Sequence, residues 1–208
     1  MDYDVVVGID PGLSGGITVL DSDKDIEIFK MPLKKIVVNK KNKNTYNMID
    51  ILDIFKEYKN KKVLFYIEKQ SVRQGEGAVS AMTIGKNYGQ LLGLAYALNF
   101  HITEISPVKW KKQYPQLITQ EIINKKAEIK ELRLLSKTIK ENDLKKENKR
   151  QVDKLNRQVK AEAKTAARQL VSTLYPSLAD RFVKKNTDGI AESVLIALYG
   201  KDCHNELV

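Results

Sequence analysis

The chain has 208 residues and a formal net charge of +10; the length suits one domain with a proper core, and a second full domain would be cramped. The basic balance points to a polyanionic partner, nucleic acid before membrane, because Lys and Arg release condensed counterions from phosphates. A lone cysteine, Cys203, excludes an intramolecular disulfide, His101 and His204 leave no Cys/His zinc site, and no apolar run approaches the roughly 20 residues that span a bilayer. The chain opens on acidic residues and a strand where a targeting peptide would be basic, so a soluble, intracellular protein is expected, with any metal held by carboxylates.

Val5 to Ile9 is a β-branched apolar run that reads as a buried strand, and Asp10 stands at its carboxyl end, where Pro11, Gly12, Gly15 and Gly16 turn the chain. The glycines let Ile17 to Leu20 return beside the first strand without crowding the carboxylate, leaving room for a metal ion or a phosphate. A turn merely capped by Asp10 is the alternative. Asp25 to Lys30 alternates apolar and polar residues and predicts a third antiparallel strand. Pro32 to Thr45 is rich in Lys and Asn and predicts a mobile loop, after which Met48, Ile51, Leu52 and Phe55 recur at helical spacing as far as about Tyr58. Val63 to Ile67 predicts a strand covered on both faces and ending in Glu68. If it runs parallel to the first strand, Asp10 and Glu68 emerge at one sheet edge, where open α/β sheets keep their sites.

Beyond a polar loop with Arg73, Gly75 and Gly77, Ala78 to Leu98 predicts a long helix in which Gly85, Gly89 and Gly93 fall at every fourth position. Each glycine costs a helix interior about 0.8 to 1 kcal/mol, so three in register imply close packing, either against a second subunit or against the chain's own sheet. His101 to Ile105 predicts a fifth strand, and Trp110, among Lys109, Lys111 and Lys112, reads as a core residue before a base-stacking platform. Composition then changes: Gln120 to Thr165 holds fourteen Lys/Arg and eight Asp/Glu, a net of +6, with no Gly, Pro or aromatic residue. Ile118, Ile122, Ile129, Leu132, Leu135 and Ile139 make one apolar stripe and Val152, Leu155 and Val159 another, which suits a helical hairpin or one long helix. Its cations read either as a solvated face or as a DNA contact. Ala161 to Leu174 continues as helix up to Tyr175-Pro176.

Thr187 to Gly200 predicts a buried last helix, capped by Thr187 or Asp188 and ended by Gly200. Asp188 and Glu192 are four apart and share one helix face, and Glu192, an acid on an apolar helix, needs a partner.

Ile9-Asp10-Pro11-Gly12, Ile67-Glu68, the Gly85 to Gly93 stripe, Ser106-Pro107-Val108-Lys109-Trp110-Lys111 and Asp188-Gly189-Ile190-Ala191-Glu192 occur in that order across residues 1 to 114 and 161 to 200. Together they resemble the RuvC-type Holliday-junction resolvases, most closely the phage and viral branch. The resemblance implies an α/β, RNase H-like fold with a five-stranded mixed sheet flanked by helices. It implies a single nuclease domain over 1–208 carrying a Lys-rich helical insertion at about 117–160, a segment that matches nothing in the family. It further implies a homodimer that resolves four-way DNA junctions by paired symmetric nicks. Asp10, Glu68, Asp188 and Glu192 take the places of the family's catalytic metal ligands, and Lys111 and Lys164 those of its basic residues near the scissile phosphate. Hard oxygen ligands suit Mg²⁺, with Mn²⁺ substituting, and two ions per site about 3.5 to 4 Å apart can activate the attacking water and stabilise the leaving oxygen. Without cations the four carboxylates would repel one another. The rivals are a related RNase H-like nuclease for other branched DNA or RNA/DNA hybrids, and a non-catalytic junction-binding protein. An actin-like ATPase shares the Asp10 loop but needs two such domains and a second phosphate loop, for which this chain has no space.

Overall fold

In the computed structural model of the chain the described residues are 3–22, 26–38, 40–72 and 75–205. In chain order, β1 (Val5–Asp10), β2 (Gly16–Asp21) and β3 (Glu27–Lys30) are followed by a separate hairpin of β4 (Leu33–Val38) and β5 (Lys41–Tyr46). Then come α1 (Met48–Lys56), β6 (Val63–Glu68), α2 (Ala78–Ala97), β7 (His101–Ile105) and α3 (Pro107–Lys112). A 3-10 turn at Pro115–Leu117 leads to α4 (Gln120–Thr138) and α5 (Asn142–Leu174), and 3-10 turns at Pro176–Phe182 and Lys185–Thr187 lead to α6 (Asp188–Asn205). The main sheet has the order β3-β2-β1-β6-β7, with β1 antiparallel to β2 and parallel to β6, and β6 parallel to β7. It is the expected mixed five-stranded α/β sheet, flanked by helices.

Strand alternation sorts the core into two layers. The odd residues Val5, Val7 and Ile9 of β1, with Val63, Phe65 and Ile67 of β6, pack on Ile51 and Phe55 of α1 and Leu91 and Ala95 of α2. The even residues Val6, Leu64 and Tyr66 face the other way, onto Ile190, Ala191, Val194 and Leu195 of α6 and Trp110 of α3. Each fully buried Ile, Leu or Phe in such layers stabilises the fold by about 1.5–3 kcal/mol. Gly8, on the even face, permits a close approach of helix to strand: a Cβ there would lie 2.3 Å from the backbone nitrogen of Ala197, so α6 lies directly across β1.

Several expectations need correction. Residues 33–38 and 41–46 pair as a β-hairpin where a loop is expected, with Leu33 paired to Tyr46 and Lys40 at φ 61° in the turn. Only the base of the hairpin is buried, so its Lys and Asn residues carry no apolar alternation from which strands could be read. Gly200 does not end the last helix, which runs on to Asn205. Its lack of a side chain serves Tyr66 instead, whose ring would lie 2.5 Å from a Cβ at that position. The glycines at 85, 89 and 93 do not pack on the chain's own sheet, since a Cβ at any of them would meet nothing within 4 Å. β3 begins at Glu27, and the expected strand start at Asp25 lies outside the described residues, as does Arg73 of the polar loop.

The charged segment is a helical hairpin, one of the two forms its pattern allows. Thr119 caps α4 by accepting from the Ile122 amide at 3.3 Å. Ile129, Val152 and Leu155 are buried between the helices, with Leu132 and Val159 beside them. The Asn148 side chain, also buried, donates to the Leu132 carbonyl at 2.7 Å and to the Ser136 hydroxyl. α5 continues without a break for 33 residues, so its first half belongs to the arm and its second half, through Ala166, Ala167 and Val171, to the core. Among the described residues, no helix is long and apolar enough to cross a membrane.

Candidate active site

The registers of the two central strands place the first two acids. Ile9 of β1 stands opposite Ile67 of β6 in the parallel pair, so Asp10 and Glu68 follow side by side at the carboxyl edge. Both fall on the even face, the one that α6 covers. The β1–β2 turn docks on the start of α6 through a bridge between Gly15 and Gly189. A Cβ on Gly189 would lie 2.2 Å from the Ser14 carbonyl and 2.8 Å from Oδ2 of Asp10, so only glycine lets the helix start against this carboxylate. The Gly12 amide donates to Oδ1 of Asp10 at 3.2 Å. Tyr46, at the base of the β4–β5 hairpin, donates its hydroxyl to the Pro11 carbonyl and so ties the hairpin to the same turn.

The surroundings of Asp10 shift its ionisation. Burial, reinforced by the charges of Glu192 and Glu68, pushes its carboxyl up to about 7, against the smaller opposing pull of the Gly12 amide and Lys111. Burial likewise raises Glu68, while a hydrogen bond from Nε1 of Trp110 to Oε2 at 2.7 Å and the charge of Lys111 oppose it. Trp110 is fully buried, as its core reading expects, and it also orients one of the acids. Its place follows from α3, which starts with Pro107 in the first turn and Ser106 as cap, the Ser106 hydroxyl accepting from the Lys109 amide at 3.3 Å.

Lys111, next in sequence, lies with its Nζ 4.8 Å from the centre of the Trp110 ring and 2.7 Å from Oε1 of Glu192. Burial alone would lower its ammonium, but Glu192, with Glu68 and Asp10 behind it, holds it above its ordinary value. Glu192 thereby finds the partner that its place on an apolar helix requires.

Asp188 is held apart from these three acids by α5. Its Oδ1 lies 2.9 Å from Nε of Arg168, and its Oδ2 lies 3.4 Å from Nζ of Lys164. It starts α6 but does not act as a simple cap, and the Thr187 hydroxyl donates back to the Lys184 carbonyl at 2.6 Å. Arg168 is fixed from several sides, with its guanidinium donating to the Val183 carbonyl at 3.2 Å and the Thr165 hydroxyl at 3.0 Å. Sequence reasoning names Asp10, Glu68, Asp188, Glu192, Lys111 and Lys164 but misses Arg168. Its signal is a cation inside the small apolar run Ala166-Ala167-Arg168-Gln169-Leu170-Val171, which a helix buries on one side. Tyr46 is missed as well, because it closes a segment read as a loop.

The structure therefore brings Asp10, Glu68, Glu192 and Lys111 into one electrostatic cluster and sets Asp188 with Lys164 and Arg168 beside it. As the side chains stand, no three His, Cys, Asp or Glu among the described residues are grouped closely enough to hold a metal ion. The donor chemistry nevertheless fits a hard divalent cation: the acids offer only oxygen, and Asp10 is raised by burial and then by the charges of Glu192 and Glu68, which a cation would offset.

No protein-family model matches this chain, and no curated protein matches it. Solved structures do. The RuvC of Thermus thermophilus in complex with a Holliday junction substrate aligns at a TM-score of 0.36 and 14% identity, over 57% of this chain and 72% of that one. Another Thermus thermophilus RuvC structure aligns at a TM-score of 0.32 and 18% identity, over 52% of this chain and 67% of that one.

Proposed function

We propose that this chain is a Mg²⁺-dependent endonuclease that cuts branched DNA, and that its substrate is the four-way junction, resolved by paired symmetric nicks. The observation that carries this reading is the convergence of Asp10 and Glu68 at one sheet edge with Glu192 of α6 beside them, where burial first and the two neighbouring charges second push Asp10 up to about 7. Asp10, Glu68, Asp188 and Glu192 would hold two Mg²⁺ ions, for which Mn²⁺ substitutes, supplying activation of the attacking water and stabilisation of the leaving oxygen.

The chain's own groups prepare the rest. Trp110 fixes the rotamer of Glu68 through its indole N–H. Lys111 and Lys164 are partly exposed ammonium groups, and each is paired with one of the acids of α6. A phosphodiester entering the site would take both cations from Glu192 and Asp188, freeing those carboxylates as it is bound. Arg168, buried and fixed by backbone carbonyls, would keep Asp188 oriented when Lys164 leaves it.

Paired nicks on a two-fold substrate call for two copies of the site, so the working form is read as a homodimer. Its contact is assigned to the outward face of α2, where Met82 and Tyr96 are exposed and Gly85, Gly89 and Gly93 leave open space. The testing experiment is a cleavage assay with Mg²⁺ on labelled four-way junction, flap, plain duplex and RNA/DNA hybrid. Symmetric nicks on the junction, absent in EDTA, are expected. Preferential cutting of the flap or the hybrid would transfer the site to a related substrate, and no cutting of any of them would overturn the nuclease reading.

A further inference from the structure

A line of unpaired cations leaves the candidate site along the arm. Lys111 and Glu192 form the inner end of a cleft of about 410 Å³ between α3 and the root of the arm. Its walls are apolar, with Ile118, Ile122 and Val159 among them, and it is bordered by Lys112 and Lys126. Lys126 also begins a second groove of about 560 Å³, between α4 and Asn156 and Val159 of α5. Lys126, Lys130, Arg133 and Lys137 all line that groove, and no carboxylate does.

The spacing i, i+4, i+7, i+11 keeps these four cations on one side of α4. All four are exposed, and among the described residues none is ion-paired, whereas the neighbouring Lys125 is spent on Glu121. At 1.5 Å per residue the four span about 16 Å of helix axis. Over that length one strand of a DNA duplex, advancing about 3.4 Å per phosphate, presents roughly five phosphates. The arm's thin apolar seam explains why the hairpin forms but gives no reason for lining up four cations on one side of it. Like charges so spaced repel one another unless an anion lies along them.

We infer that this face of α4 is a track for the phosphate backbone of one duplex arm of the DNA substrate, leading from the Lys111–Glu192 end of the site outward along the helical hairpin. The inference rests on the proposed nuclease reading and adds to it where the DNA leaves the site and which residues hold it. It also gives the segment at 117–160 a function, as a clamp on the arm of DNA distal to the cut.

The test is the salt dependence of junction binding, measured in EDTA so that no cutting intervenes, for the full chain and two triple variants. In the first, Lys130→Gln, Arg133→Gln and Lys137→Gln neutralise the outer track. In the second, Lys56→Gln, Lys59→Gln and Lys62→Gln make the same charge change near the opposite edge of the sheet, where β6 begins. Glutamine is a good helix former and all six positions are exposed, so both variants should fold, which circular dichroism checks. Each phosphate contact adds about 0.9 to the slope of log affinity against log salt, so the track variant should lose between about 2 and 3 from it. It should also bind at least tenfold more weakly near physiological salt, while the control keeps the native slope. Equal slopes in all three proteins, equal losses in both variants, or a changed oligomeric state with an unchanged slope would each overturn the track. In those cases Mg²⁺-dependent cutting by the native chain would leave the nuclease reading standing. Failure of the native chain to bind junction DNA at all would overturn both.

Discussion

In the sheet body a single methyl group has no room: a Cβ on Gly8 would lie 2.3 Å from the Ala197 nitrogen and 2.4 Å from the Ser193 carbonyl oxygen. In the α4–α5 arm, by contrast, the buried apolar cluster between the helices is just Ile129, Val152 and Leu155 among the described residues, and most charged residues are exposed. The body is specified by close backbone approach, which fixes where Asp10, Glu68 and Glu192 meet. The arm is specified by a narrow seam and one buried asparagine, which fix its direction and leave its surface free for charge. Geometry demanding sub-ångström placement belongs with the first kind of construction, and a long electrostatic surface with the second.

Bulk added in the body and bulk removed from the arm should therefore act over different distances. Gly8→Val should force α6 off β1 and cost roughly 4 kcal/mol or more, enough to prevent folding, as read by chemical denaturation. Ile129→Ala should cost about 2 kcal/mol or more but locally, exposing the amides of α4 and the first half of α5 to hydrogen exchange while β1 and β6 keep their protection. Global loss of protection in Ile129→Ala would show that the arm is part of the body's cooperative unit.

Asp10 carries a smaller effect, with a definite sign. Its carboxyl lies near 7 in the folded chain against 3.8 ordinarily, because of burial and the neighbouring charges of Glu192 and Glu68. Its contribution to stability is therefore fully present below about pH 4 and is lost as pH rises to 7 and beyond. In chelator, Asp10→Asn should melt several degrees above the native chain at pH 8, and the gap should close as pH falls toward 4. Added Mg²⁺ should raise the native chain more than the variant. Equal melting temperatures at pH 8 without metal would contradict the electrostatics assigned to the site.

Least costly in stability is Gly89→Leu, since the position opens onto free space and leucine is the better helix former. The variant should stay folded and become monomeric by light scattering. A folded dimer would remove this face of α2 from the proposed contact.

Where burial is two-sided, the sequence is readable. The apolar runs of β1 and β6 each close on an acid, so that Asp10 and Glu68 share one edge on the condition that the strands run parallel, and the register meets that condition. Glu192 is legible as an acid on an apolar helix in need of a partner. The β4–β5 hairpin is not legible, because a structure exposed on both faces along most of its length leaves no periodic trace. Arg168 is hidden for a different reason: its partners, Asp188 and the Val183 carbonyl, come together only after α5 and α6 pack. Nor does spacing alone reveal that the four acids divide, three facing Lys111 and one facing Lys164 and Arg168.

In the proposed function the acids do the cutting while the cations around them hold the DNA. The most direct measurement compares Asp10→Asn and Glu68→Gln with the native chain, for Mg²⁺-dependent cleavage of a four-way junction and for its binding in EDTA. The predicted result is cleavage abolished in both variants with binding retained or slightly tightened, since each change removes a negative charge and no phosphate-contacting cation. Cutting at the native rate by either variant would contradict the account.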